Sequence, residues 1–179
     1  ADLFVQGRLS AQATASEPIY FTSIYDEVGG DTDDYEDCYF EVDEEGTEIG
    51  EEICDVYDSG DPFVGDWDGI FFLNSAGSHL QNVSFRYADR VLELNSSRAD
   101  FENLNIADSV SCLMVYNSST VSVSDSSMSC EDDGLMVFND STLRTTGVTV
   151  DGTTEYALII FNNSAVTFDK SFVTNNYNS

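Results

Sequence analysis

The chain has 179 residues, 34 Asp/Glu against 6 Lys/Arg and a formal net charge of −28, with 41% hydrophobic residues including 12 Phe and 9 Tyr. That much apolar mass builds a core and excludes wholesale disorder, while the charge repels phosphate backbones and anionic lipid. The expected partners therefore include no nucleic acid, and no apolar run of about 18 residues is present to insert into a membrane.

The charge is unevenly placed. From Asp26 to Asp66 there are 18 Asp/Glu and no Lys, Arg or His. So many carboxylates in a short stretch repel one another unless cations sit among them. Tyr35, Tyr39, Phe40, Ile49, Ile53 and Tyr57 interleave with the acids, which argues for a partly folded lobe over a bare solvated loop. The expected organisation is a first coil over 1–25, an acidic insertion over 26–66 and regular coils over 67–179.

Calcium is the expected cofactor of the insertion, because it takes six to eight oxygen ligands on flexible loops. Asp26, Asp31, Asp33 and Asp37 are the expected ligands if the chain turns at Gly29-Gly30. The competing reading is an acidic surface suited to high salt, where hydrated carboxylates keep a protein soluble.

The chain has 4 Cys and no CxxC pair. An even count at these spacings predicts two disulfides, Cys38 with Cys54 and Cys112 with Cys130, in an oxidising compartment. A zinc site fits poorly, with one His in the chain and no finger spacing.

From Gly69 onward the chain repeats. The runs Ile70-Phe71-Phe72-Leu73-Asn74, Val91-Leu92-Glu93-Leu94-Asn95, Leu113-Met114-Val115-Tyr116-Asn117, Leu135-Met136-Val137-Phe138-Asn139 and Leu158-Ile159-Ile160-Phe161-Asn162 align. Their asparagines, 74, 95, 117, 139 and 162, recur at intervals of 21 to 23 residues. Such a period is that of one solenoid coil. Each copy carries further short alternating segments, such as Val121-Ser122-Val123 and Val148-Thr149-Val150, bounded by turn residues; these are strand signals. The prediction is an all-β parallel β-helix with Ile70, Val91, Leu113, Leu135 and Leu158 stacked inside and the asparagines forming a corner ladder. Asn-x-Ser occurs at Asn82, Asn95, Asn117, Asn139 and Asn162. A stacked polar corner explains the period without sugar; glycosylation at these sites stays open.

The motifs Val5-x-Gly7-x-Leu9-x-Ala11, Pro18-Ile19-Tyr20-Phe21-Thr22-Ser23, Gly29-Gly30-Asp31-Thr32 and Gly65-Asp66-Trp67-Asp68-Gly69-Ile70 follow in order. This chain thereby resembles the right-handed, pectate-lyase-like parallel β-helix segments of secreted bacterial and archaeal surface proteins. The resemblance implies a right-handed solenoid, secreted or on the cell surface, and says little about activity. After Asp31-Thr32 such segments continue as an Asn-x-Asp-Gly loop, whereas here Tyr35 stands at the third acid and no Gly follows.

No catalytic residue is expected. His79, the lone candidate base, sits in Gly77-Ser78-His79-Leu80 without a local nucleophile signature. The six basic residues form no column of the kind that binds acidic sugars, and 34 acids make any carboxylate pair uninformative. The function expected is therefore a non-enzymatic structural protein of the cell surface or extracellular matrix. It would be a filament or sheath subunit or an adhesin module, joined head to tail with itself or to the rest of a longer parent chain. The alternative is a carbohydrate-binding or carbohydrate-active β-helix with polysaccharide on one flank.

Overall fold

The computed structural model describes residues 2–23, 25–26, 28, 35–42, 48–57 and 61–174, with the backbone alone described over 35–42 and 48–57. Among the described residues sixteen strands follow in chain order: β1 (Asp2–Val5), β2 (Ser10–Gln12), β3 (Ile19–Phe21), β4 (Tyr35–Val42), β5 (Glu48–Tyr57), β6 (Gly69–Leu73), β7 (Ala76–Arg86) and β8 (Arg90–Asn95). The rest are β9 (Arg98–Tyr116), β10 (Thr120–Ser124), β11 (Ser127–Val137), β12 (Thr142–Thr146), β13 (Thr149–Asp151), β14 (Tyr156–Ile160), β15 (Ala165–Asp169) and β16 (Phe172–Thr174).

Among the described residues all pairings between these strands other than β4–β5 are parallel and join successive coils, making a solenoid of about five turns. The long strands β7, β9 and β11 turn corners, so three faces result. The first holds β1, β6, β8 and the ends of β9 and β11, then β14. The second runs through β2, the starts of β7 and β9, then β10, β12 and β15. The third runs through β3, later parts of β7 and β9, the start of β11, then β13 and β16. One compact unit comprises Ala1–Ser23 with Phe63–Ser179, and a second Ile24–Pro62. In the second unit β4 and β5 pair antiparallel, with Cys38 directly opposite Cys54.

Alternate residues of each strand point inward and stack. On the first face the inner column is Ile70, Leu92, Leu113, Leu135 and Leu158, with Phe72, Leu94, Val115 and Val137 beside it. These are buried apart from the half-buried Leu158. Each buried Leu, Ile or Phe contributes about 1.5–3 kcal/mol through loss of water contact. The column differs from the sequence prediction at one place: Leu92, not Val91, faces Leu113. Aligning the asparagines put Asn95 opposite Asn117, whereas the strand ladder sets Asn95 opposite Tyr116. The extra residue is taken up at the corner, where Asn117 and Ser118 are both left-handed but Ser96 alone is in the preceding coil.

Left-handed residues recur at the corners because Asn and Asp tolerate that backbone with little steric cost. Between the first and second faces they are Asn74, Ser96, Asn117–Ser118, Asn139–Asp140 and Asn162–Asn163; between the second and third, Asn82, Asn103, Asp125, Gly147 and Lys170. The following residue is often a serine turned inward. The backbone N–H of Ser75 donates to Ser97 Oγ at 2.9 Å, Ser97 to Ser119 at 2.9 Å, Ser119 to Ser141 at 3.2 Å and Ser141 to Ser164 at 3.1 Å. Each of Ser97 and Ser119 donates onward to backbone carbonyls. Ser126 and Ser171 do the same at the second corner, and Ser109 at the third. In four of the five Asn-x-Ser sites, those at Asn95, Asn117, Asn139 and Asn162, the serine therefore caps a backbone N–H of the preceding coil that no strand partner reaches, and Ser97, Ser119 and Ser141 do so while buried.

The predicted Cys112–Cys130 disulfide is present, with Cα atoms 5.8 Å apart, and it ties the end of the third face to the start of the next coil. The side chains of Cys38 and Cys54 lie outside the described residues. Gly69 is required where it stands: at φ 128° any Cβ would fall 1.6 Å from Arg90 O.

Two expected outcomes test this account. Ser119→Ala leaves the buried Ser97 N–H without an acceptor and costs about 1–3 kcal/mol in urea unfolding, against under ~0.5 kcal/mol for the exposed Ser96→Ala. Replacing Cys112 and Cys130 together by Ala costs about 3 kcal/mol, the loop-closure value for their separation of 18 residues.

Candidate functional site

Sheets with both faces covered read as unbroken apolar runs, and the first-face strands read that way. Their inner residues fill the core. Their outer residues form a second apolar stripe: Phe4, Phe71, Glu93, Met114, Met136 and Ile159 in one column. Leu73, Tyr116, Phe138 and Phe161 lie beside it. The stripe packs on itself in its middle, where Phe71 and Met136 are 7% and 6% exposed, while Phe4 and Phe161 at its ends are 59% and 62% exposed. Phe4 and Phe71 stack at 5.2 Å.

Glu93 is the one acid in that column. It is nearly buried, and two groups hold it: Arg90 Nη1 at 2.7 Å from Oε2, and the Tyr116 hydroxyl, which donates to Oε1. The same guanidinium lies 5.1 Å above the Phe71 ring. Burial first, and then the Glu93 carboxylate, push the Tyr116 phenol up to about 12. Next to this stripe a hydrogen bond between Asp2 and Asp68 raises the Asp2 carboxyl and lowers that of Asp68. Sequence reasoning singled out none of these residues. The signal was present in the first-face runs, which are continuously apolar except where Glu93 interrupts Val91-Leu92-Glu93-Leu94 and so predict a sheet apolar on both sides with one buried acid.

The asparagine ladder forms over four of the five predicted positions. Asn117, Asn139 and Asn162 each donate Nδ2 to Oδ1 of the preceding asparagine, at 3.0, 3.1 and 2.8 Å, with Asn95 at the head. Asn74 does not join through its side chain. The ladder sets Leu73 opposite Asn95, one position off, and Asn74 instead donates its backbone N–H to Asn95 O at 3.0 Å. A single amide-to-amide bond that the sequence reading missed stands at the other corner, where Asn103 Nδ2 donates to Asn82 Oδ1. Its signal was the same spacing, in the series 82, 103, 125, 147 and 170.

His79 stands between Ser10 and Asp100 in the second-face ladder. The order is that of a nucleophile, base and acid, yet Asp100 accepts from Ser122 at 2.9 Å and no hydrogen bond joins His79 to either neighbour among the described residues. Of the four predicted calcium ligands, Asp26 is buried. Asp31 and Asp33 lie outside the described residues, as does the side chain of Asp37, whose backbone pairs with Asp55. Among the described residues no group of three or more His, Cys, Asp or Glu is gathered for a metal.

At the third corner Asp133 Oδ1 is buried without a hydrogen bond among the described residues. Desolvation, then the charges of Glu155 and Asp132, raise this carboxyl. A raised acid favours the folded state while protonated, and that contribution is lost as pH climbs through the folded value. Asp133→Asn therefore raises the melting temperature at pH 7 by on the order of 2 °C, and the gain disappears below pH ~4, by differential scanning calorimetry. Tyr116 has the same sign. Its contribution is complete below pH ~10 and is lost as pH rises toward 12. In a spectrophotometric titration Tyr116→Phe removes a phenol with a midpoint at about 12, and Glu93→Gln moves that midpoint down.

Comparison with protein families finds one match, to the family described as right-handed β-helix region, over residues 52–179. No curated protein and no solved structure matches the chain. The matched segment covers the regular parallel coils from β6 onward with their inner columns and corner asparagines, and the chain belongs to the right-handed β-helix family.

Proposed function

We propose that this chain is a non-enzymatic scaffold of the cell surface or extracellular matrix. In this reading it is a filament or sheath subunit or an adhesin module, whose terminal coils meet further coils head to tail. One observation carries the reading. Along the inner columns Val137, Thr145 and Val150 are 0–1% exposed, yet their partners one coil on, Ile160, Phe168 and Val173, are 45%, 39% and 44% exposed. A further coil seated on β14, β15 and β16 returns those side chains to the core at about 25 cal/mol per Å² and pairs the strand backbones. The first coil offers a matching edge at β1, where Leu3 is 38% exposed. Identical solenoids joined this way do not close and so form fibres.

The net charge of −28 keeps such fibres apart laterally. Calcium among the carboxylates of 26–66 relieves their mutual repulsion in this proposal. The Cys112–Cys130 bridge fits an oxidising, extracellular compartment.

Two measurements test the reading. Light scattering and electron micrographs of concentrated protein with calcium should show end-to-end polymers, and Val173→Glu with Ile160→Glu should keep it monomeric. A wild-type chain that stays monomeric there overturns the assembly. For calcium, the melting temperature should fall when chelator is added; an unchanged value with no bound metal detected refutes the metal.

A further inference from the structure

Beside the third face a groove of about 210 Å³ opens between the first coil and the regular stack. Tyr20, Ser84 and Asn105 stand in one outward column, in register across three successive coils. Ser84 is small and buried, so the Tyr20 ring and the Asn105 amide rise as walls on either side of it. Pro18 and Ala15 extend the Tyr20 wall, and Asn82 and Asn103 extend the other.

Two properties of the lining select a ligand. First, it contains no charged residue, in a chain with 34 acids. Second, its amides are already oriented. Asn82 Nδ2 donates to Ala13 O at 2.6 Å, Asn103 Nδ2 to Asn82 Oδ1, and Asn105 Nδ2 to Ser84 Oγ at 3.2 Å. These bonds aim donors at the protein. They leave Oδ1 of Asn103 and Asn105 without a donor among the described residues, on side chains exposed to the groove. Tyr20 is 45% exposed and offers a ring face and a hydroxyl. The groove thus pairs an apolar platform with fixed, uncharged acceptors on the opposite wall.

We infer that this groove binds a neutral pyranose sugar, with the C–H face of the ring on Tyr20 and Pro18 and adjacent hydroxyls donating to Asn103 and Asn105 Oδ1. A hydroxyl edge supplies the donors these carbonyls lack, and a ring face supplies apolar area at low entropic cost. An anionic sugar is disfavoured, because no cation lines the groove and the surrounding chain is acidic. With one ring held in a space below the ~300–1,000 Å³ of drug-sized pockets, millimolar dissociation constants are expected. The inference goes beyond the scaffold role and does not depend on assembly.

The test is a titration of the full chain, followed by the side-chain amide NMR signals of Asn82, Asn103 and Asn105. The probes are cellohexaose, maltohexaose, mannohexaose and hexagalacturonate. At least one neutral hexasaccharide should shift these signals saturably, with hexagalacturonate shifting them at least about tenfold more weakly. Tyr20→Ala and Asn105→Ala should each weaken binding about tenfold with an unchanged melting temperature, while Tyr156→Ala, at an exposed tyrosine elsewhere, should leave it intact. The proposal is overturned if no neutral sugar shifts the three amides by roughly 10 mM, if the uronate binds as well, or if folded Tyr20→Ala binds like wild type.

Discussion

Every coil of this protein depends on its neighbours for its backbone hydrogen bonds. A parallel strand has no partner within its own coil, so each N–H and C=O must find one above or below. Along the flat faces the strand ladder does this automatically. At the corners it cannot, because the chain changes direction there. An inward serine after a left-handed residue resolves the problem, with its hydroxyl accepting the N–H of the coil before and donating to a carbonyl. A buried N–H without an acceptor costs about 1–3 kcal/mol, so such a site recurring at each coil outweighs many surface contacts.

This arrangement separates structural duties from the rest of the surface. The inner columns and corner serines hold the coil; outward positions are free to differ from face to face. On the first face they are mostly apolar and surround the nearly buried Glu93, which Arg90 and Tyr116 hold. On the second they include Ser10, His79 and Asp100 in register, with no hydrogen bond from His79 to Ser10 or Asp100 among the described residues. On the third they are neutral beside the groove. Apart from Glu93 and Asp133, the described acids outside the 26–66 stretch keep access to water, so the inner columns stay uncharged in a chain of net charge −28.

Much of the fold was legible in the linear order. The period near 22, the short alternating segments and the Asn-x-Ser recurrence each depend on neighbours along the chain, and each reappears as a coil, a strand or a corner. The Cys112–Cys130 pairing was legible for the same reason: a separation near one coil brings two positions to adjoining levels. Among the described residues the fourteen left-handed positions other than glycine are mostly Asn, Asp and Ser, the residues that sequence rules place there.

What the sequence alone determined, then, was the repeat, its inward apolar composition and the chemistry of its corners, since these follow from spacing and local backbone preference. Register was decided only by the tertiary structure. Corners absorb one residue at little cost, so aligning Asn95 with Asn117 shifted the neighbouring strand, whereas the inward–outward alternation settles on Leu92 facing Leu113. The same holds for every outward constellation. Tyr20 meets Ser84 and Asn105, and Glu93 meets Tyr116, across gaps that include a long acidic insertion in the first case and a full coil in the second. No local pattern encodes such meetings. They arise because stacking places residues side by side according to coil and face, not according to their distance along the chain.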